Sequence, residues 1–63
     1  MNEPLTYSIE DTRKVTGVGR TVLYEEIKAG RLRAVKRGRR TLILAEDLRR
    51  WLASLPPIRK EVA

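Results

Sequence analysis

The segment Gly17-Val18-Gly19 divides the first half of the chain into two short stretches that each have helical periodicity. On its N-terminal side, Ile9, Thr12 and Thr16 share one face and predict a helix that begins at Ile9. Gly17 can adopt the left-handed backbone conformation that often ends a helix, so this helix should be short. The chain is therefore constrained to fold, in this region, as two short helices joined by a tight glycine turn.

The start of the first helix carries a recognisable cap. Ser8 is followed three positions later by Asp11, which is close to a capping box. The serine oxygen can accept an otherwise unpaired backbone amide, and the acid is favourable at the positive end of the helix dipole. Val15 lies beside the modest apolar stripe of this helix.

The second stretch, from Arg20 to Ala29, contains no helix breaker and predicts a second amphipathic helix that Gly30 ends. Leu23 and Ile27 form its apolar side, with Val22 beside them. The opposite face carries Arg20, Thr21, Tyr24, Glu25 and Lys28. Because an α-helix fits the major groove of duplex DNA, these are the side chains able to reach base edges.

The side chains of that face suit different DNA contacts. Arg20 can bind guanine with two parallel hydrogen bonds, and Thr21 can contact a phosphate or a thymine methyl group. Lys28, one turn further out, is better placed for the DNA backbone. Two helices joined by a tight turn are a helix-turn-helix candidate.

Residues 32–36 and 41–44 are rich in β-branched and aliphatic residues and predict the two strands of a hairpin. The connecting segment contains Gly38, which can take the positive φ that a hairpin turn needs. Around this glycine are the four cations Lys36, Arg37, Arg39 and Arg40. Such a density is costly in self-repulsion unless a phosphate backbone or a narrow minor groove neutralises it. The alternative is a surface hairpin whose charges only prevent edge-to-edge aggregation.

The last third of the chain predicts a third helix from Glu46 onward, with Glu46 and Asp47 in its first turn. Its apolar residues recur at positions i, i+3, i+4 and i+7: Leu48, Trp51, Leu52 and Leu55. We expect Trp51 to be a core residue. Pro56-Pro57 cannot continue the helix, which predicts one folded domain over residues 1–55 and a flexible tail over 56–63.

Composition excludes several classes of protein. The 63 residues include no cysteine and no histidine, which argues against a disulfide scaffold, a conventional zinc site or a multidomain enzyme, and we expect no cofactor or metal. Catalysis would have to depend on adjacent acids, which point in different directions on a helix. The longest apolar run, Leu42 to Ala45, is too short to span a membrane, and the N-terminus lacks a basic signal region. We therefore expect a cytoplasmic protein, associated with the nucleoid through DNA.

The charge is concentrated in the middle of the chain. The formal net charge is +6, and residues 12–40 contain ten Lys or Arg against only Glu25 and Glu26. A surface without a partner more usually intersperses its signs, so this concentration indicates a polyanionic partner, nucleic acid first. A charged face without a role remains the alternative.

Several short motifs occur in a specific order and spacing. They are Tyr7-Ser8-Ile9-Glu10-Asp11, Thr16-Gly17-Val18, Arg20-Thr21-Val22-Leu23-Tyr24, Ile27, Gly30-Arg31-Leu32, Ala34-Val35-Lys36, Gly38 and Glu46-Asp47-Leu48-Arg49-Arg50-Trp51-Leu52. Together they resemble the MerR-like winged-helix pattern of excisionase-type DNA-binding domains over about residues 5–55. Two positions depart from it: Arg13 replaces a small alanine between the first two helices, and Gly19 replaces a serine cap of the second.

The resemblance implies a mainly α fold with a small β-hairpin, in the order helix, turn, helix, hairpin wing, helix. It also implies that the Arg20 helix enters the major groove and that the Gly38 hairpin lies at an adjacent minor groove or backbone. The candidate DNA contacts are Ser8, Arg20, Thr21, Tyr24, Glu25, Lys28, Lys36, Arg37, Arg39 and Arg40.

The function implied is that of an excisionase, or recombination directionality factor. Such a protein binds repeated attachment sites cooperatively and head to tail, bends the DNA and directs a tyrosine or serine integrase toward excision. MerR-type regulators continue into a long dimerisation helix, and this chain stops soon after Pro56-Pro57. The alternative is a small winged-helix transcriptional regulator of a phage or mobile element that uses the same surface.

Overall fold

Three helices and a three-stranded antiparallel sheet make up the part of the chain, residues 4–58, that a computed structural model describes. In chain order the elements are β1 (Thr6–Ser8), α1 (Ile9–Thr16), α2 (Arg20–Lys28), β2 (Val35–Arg37), β3 (Arg40–Leu44) and α3 (Ala45–Ser54). We call α2 the recognition helix, and β2, β3 and the loop between them the wing. The arrangement is that of a winged helix-turn-helix.

The first helix has the boundaries that its capping residues predict. The Ser8 Oγ accepts the backbone N–H of Asp11 at 3.0 Å, and Gly17 ends the helix with φ = +75°. The Thr12 side chain is fully buried, and its hydroxyl donates to the Ser8 carbonyl at 2.8 Å. Val15 is exposed, so the buried face of α1 is narrower than the predicted stripe.

The sheet contains one strand more than the predicted two-stranded ribbon. β1 pairs antiparallel with β3, Thr6 opposite Leu44 and Ser8 opposite Leu42, which gives the order β1-β3-β2. Only three residues long, β1 has too few positions to show an alternating pattern. β2 begins at Val35 rather than at position 32, because Leu32 turns its fully buried side chain into the core from the preceding loop.

The wing turns on two residues. Arg37 pairs with Arg40, which leaves Gly38 and Arg39 as the loop between the strands. Gly38 has φ = +60°. Arg39 has a negative φ, because every described residue with a positive φ is a glycine. A positive followed by a negative φ is the pattern of a type II′ turn, whose twist matches that of the strands it joins.

The core draws residues from all three helices, from the central strand and from the loop before the wing. Its buried hydrophobic residues are Ile9, Leu23, Leu32, Ile43, Leu48 and Trp51. The predicted stripe of α3 is therefore right for Leu48 and Trp51 and wrong for Leu52 and Leu55, which are 40% and 44% exposed. Leu52 is rotated by about 100° from Trp51 on the helix, and Leu55 is the C-cap, whose backbone is extended.

The predicted tail is described only in part. Pro56, Pro57 and Ile58 follow α3 without helical structure and are exposed. The remaining residues of the tail, 59–63, lie outside the described part of the chain.

Candidate nucleic-acid interface

The recognition helix presents its polar face to solvent. It begins at Arg20, and its last helical residue is Lys28, one residue before the predicted end at Ala29. Leu23 is fully buried on the opposite side. All five residues predicted to face DNA from this helix are exposed: Arg20, Thr21, Tyr24, Glu25 and Lys28.

A groove joins the recognition helix to the wing. Its walls are formed by Tyr24 and Ile27 from α2, by Val35 and Lys36 from β2, and by Thr41 from β3, together with Ala34. Tyr24, which is 45% exposed, therefore lines the same depression as Lys36, the first cation of the wing. This groove brings together the recognition helix and the wing, which could be predicted from the sequence only as separate segments.

The wing concentrates positive charge without acidic partners. Lys36, Arg37, Arg39 and Arg40 are all exposed, and none of them forms an ion pair within residues 4–58. Arg37 and Arg40 stand directly opposite each other in the strand register. Like charges in directly opposite positions are destabilising, so the wing carries electrostatic repulsion that a polyanion would relieve.

Arg20 has an acidic partner on the other helix of the motif. Its Nη2 donates to Oε2 of Glu10 on α1, and its side chain remains 56% exposed. Glu10 also accepts from Arg13 Nη1, at 3.0 Å to Oε1 and 3.2 Å to Oε2. The hydrogen bond from Arg20 and the positive charge of Arg13 lower the pKa of Glu10. Sequence reasoning missed both contacts of Glu10. The spacing of three residues was a signal for the pair with Arg13, but nothing in the sequence indicated the pair with Arg20.

Ser8 and the two positions that depart from the family pattern lie close to this corner. The Ser8 oxygen is engaged as the cap of α1, and its predicted DNA contact stays a prediction. Arg13 turns outward to Glu10, and its side chain is 44% exposed instead of being buried between the helices. Gly19 is the N-cap of α2 and provides no side-chain cap.

Comparison with known proteins agrees with this geometry. A family model described as a helix-turn-helix domain matches residues 6–56. The chain belongs to the helix-turn-helix domain family. A search of curated proteins and a search of solved structures gave no match. This helix-turn-helix domain is a DNA-binding module, and α1, the Gly17–Gly19 turn and α2 form its motif.

Among the described residues, no helix is long and apolar enough to cross a membrane.

A polar tie fixes the recognition helix of this helix-turn-helix domain against α3. The Trp51 Nε1–H donates to Glu26 Oε1 at 3.1 Å. Arg31 Nε and Nη2 donate to the two oxygens of the same carboxylate, both at 2.9 Å. The hydrogen bonds from Arg31 and Trp51 lower the pKa of Glu26, and the bond to Glu26 raises the pKa of Arg31. The tie holds the side of α2 that faces away from solvent.

A second polar cluster anchors the loop between α2 and the wing. The Asp47 side chain is 8% exposed, and its carboxylate lies 3.4 Å from Arg50 Nη1 and 3.9 Å from Arg33 Nη1. Within residues 4–58, Asp47 Oδ2 is buried without a hydrogen-bond partner. The loop and α3 are thus joined by charge, which helps to set where the wing begins relative to the recognition helix.

Proposed function

We propose that the protein is an excisionase, a recombination directionality factor that acts on DNA without catalysis of its own. It binds repeated duplex sites in the attachment region, bends the DNA and directs a tyrosine or serine integrase toward excision. The proposal is supported by the resemblance of residues 5–55 to excisionase-type domains and by the helix-turn-helix match over residues 6–56.

The observation that carries the proposal is the shared groove between the recognition helix and the wing. Tyr24 on the helix and Lys36 on the wing line the same depression. A helix in the major groove therefore puts the wing beside the neighbouring phosphates or the minor groove, where its unpaired arginines gain most. Arg20 and Thr21 then face the base edges of the major groove, and Lys28, one turn further out, lies nearer the DNA backbone.

Cooperative assembly would compensate for the small size of this interface. The recognition helix has nine residues, so one copy of the domain reads few base pairs. Head-to-tail contacts between copies on adjacent repeats would raise the affinity. Heterologous contacts that do not close into a ring form open filaments, and such a filament can bend the DNA.

The test combines a gel-shift titration with a bending assay on attachment-site DNA. Duplexes carrying one repeat, two repeats and two repeats separated by an extra half turn are compared. We expect binding to two correctly spaced repeats to be cooperative, and the complex to have the mobility of bent DNA. Equal affinity for single and paired repeats, with no bend, would exclude the architectural role.

A recombination assay separates this role from the alternative. The purified integrase should excise an attachment-site plasmid only when the protein is added. A promoter reporter that responds to the protein in cells without integrase, with no effect on excision, would instead assign it as a small transcriptional regulator.

A further inference from the structure

The corner where α1 meets α2 holds one carboxylate between two arginines. Glu10 accepts from Arg20 across the helix-turn-helix and from Arg13 within its own helix. All three side chains are roughly half exposed, at 51%, 56% and 44%. The cluster is therefore at the surface, beside the first residue of the recognition helix.

The ion pair with Glu10 biases the orientation of the Arg20 guanidinium in the DNA-free protein. The Glu10 carboxylate accepts from Nη2 of Arg20. Arg13 Nη1 donates to the same carboxylate at 3.0 Å and 3.2 Å, which restrains the Glu10 side chain. A guanidinium has five N–H donors, so donors remain for a base edge after Glu10 has bound. Restricting the side chain in advance lowers the entropy that a bidentate contact to guanine would cost.

The same carboxylate penalises contacts that carry no sequence information. A phosphate that approached Arg20 would also approach Glu10, and two anions repel. A guanine edge offers neutral acceptors and escapes most of this repulsion. Glu10 therefore acts against binding in the wrong register as well as for binding in the right one, which is how specificity is commonly built.

We propose that Glu10 is a specificity-determining positioning residue, which directs Arg20 toward a base edge and away from phosphate. The inference rests on the proposed role of α2 in reading DNA. It predicts that loss of the carboxylate raises affinity for random DNA while lowering the preference for the selected site.

Asp11 provides a matched control. It follows Glu10 in the first turn of α1, but it forms no ion pair within residues 4–58. The substitutions Glu10→Gln and Asp11→Asn each remove one negative charge from the same helix turn. A difference between them reports on the contacts of Glu10 to Arg20 and Arg13, because net charge and helix-dipole effects are shared.

The experiment selects binding sites for the wild-type protein from a random duplex library and then measures Kd on the selected site and on random DNA. We define the specificity ratio as Kd on random DNA divided by Kd on the selected site. For Glu10→Gln we expect this ratio to fall by about fivefold or more, and one base position to lose its preference in a repeat selection. For Asp11→Asn we expect both Kd values to fall alike and the ratio to stay within about twofold of wild type. Thermal melts verify that both variants are folded.

A double-mutant cycle tests whether Glu10 acts through Arg20. In an Arg20→Gln background, adding Glu10→Gln should leave the Kd ratio unchanged. The inference is overturned if Glu10→Gln and Asp11→Asn change the ratio equally, or if the Glu10 effect persists without Arg20. A wild-type protein that selects no sequence at all would instead refute the DNA-reading role of α2 itself.

Discussion

On the recognition helix, Arg20 donates to Glu10, and the Glu26 carboxylate binds both Arg31 and Trp51. On the wing, Arg37 and Arg40 stand opposite each other, and neither forms an ion pair with any residue of the described range 4–58. Paired charges hold side chains in defined orientations, and unpaired exposed charges attract any phosphate. The difference indicates a division of work: the helix provides orientation and sequence preference, and the wing provides attraction that depends on salt.

Truncation of the shared core should have the largest effect, because both regions depend on it. Trp51→Ala removes a 4%-exposed ring and the donor to Glu26. We expect a loss of about 3–5 kcal/mol in the free energy of unfolding, enough to unfold a domain of this size. Urea denaturation followed by circular dichroism measures it. The neighbouring exposed Leu52→Ala is the control and should change stability by less than about 1 kcal/mol.

Removing the helix cation should change sequence preference. Arg20→Ala is expected to cost about 1–3 kcal/mol of binding free energy on the selected site and to relax one base position. Affinity for random DNA should change much less. A fluorescence-anisotropy titration on both duplexes gives the two values. An equal loss on both would place Arg20 among the phosphate contacts and remove the contrast with the wing.

Removing a wing cation should act on all DNA alike. Arg39→Ala is expected to weaken binding to selected and random duplexes by the same factor, and to reduce the slope of log Kd against log salt by about one. Titrations at four salt concentrations supply the slope. If Arg39→Ala altered base preference while leaving the slope unchanged, the wing would be a reading element.

The smallest expected effect is that of acid on the ion pairs of the recognition helix, whose contribution to stability should decrease at low pH. Hydrogen bonds to the charged carboxylates lower the pKa values of Glu26 and Glu10 below the ordinary 4.5. A carboxyl with a lower pKa in the folded state contributes stability that is complete above the unfolded pKa and is lost as the pH falls through the folded one. The urea midpoint of unfolding should therefore decrease as the pH is lowered below about 4.5, and it should decrease less steeply in Glu26→Gln. Parallel slopes for the two proteins would contradict a stabilising tie.

The local signals in the sequence predicted the helices well. Ser8 and Gly17 fixed the ends of α1 because a side-chain cap and a left-handed glycine act within a few residues of chain. Gly38 likewise located the turn of the wing. The helix-turn-helix order and the cationic hairpin could both be predicted from such short-range features.

Features that depend on distant partners could not be predicted. β1 exists because β3, more than thirty residues later, offers it an edge. The contact between Trp51 and Glu26 spans 25 residues, and that between Arg20 and Glu10 crosses two helices. The exposure of Leu52 and Leu55 depends on which face of α3 packs against the rest of the protein and on where that helix ends. The residues of the candidate interface were thus predicted individually, while their pairing required the fold.

The indole hydrogen bond to Glu26 also gives the molecule a natural optical probe. The chain has a single tryptophan, which lies in the contact between the recognition helix and α3. Its emission wavelength reports on a single environment, so any tilting of the helix that stretches this bond would appear as a spectral change. Movements of the helix during loading onto a duplex can therefore be followed in real time without attaching a dye.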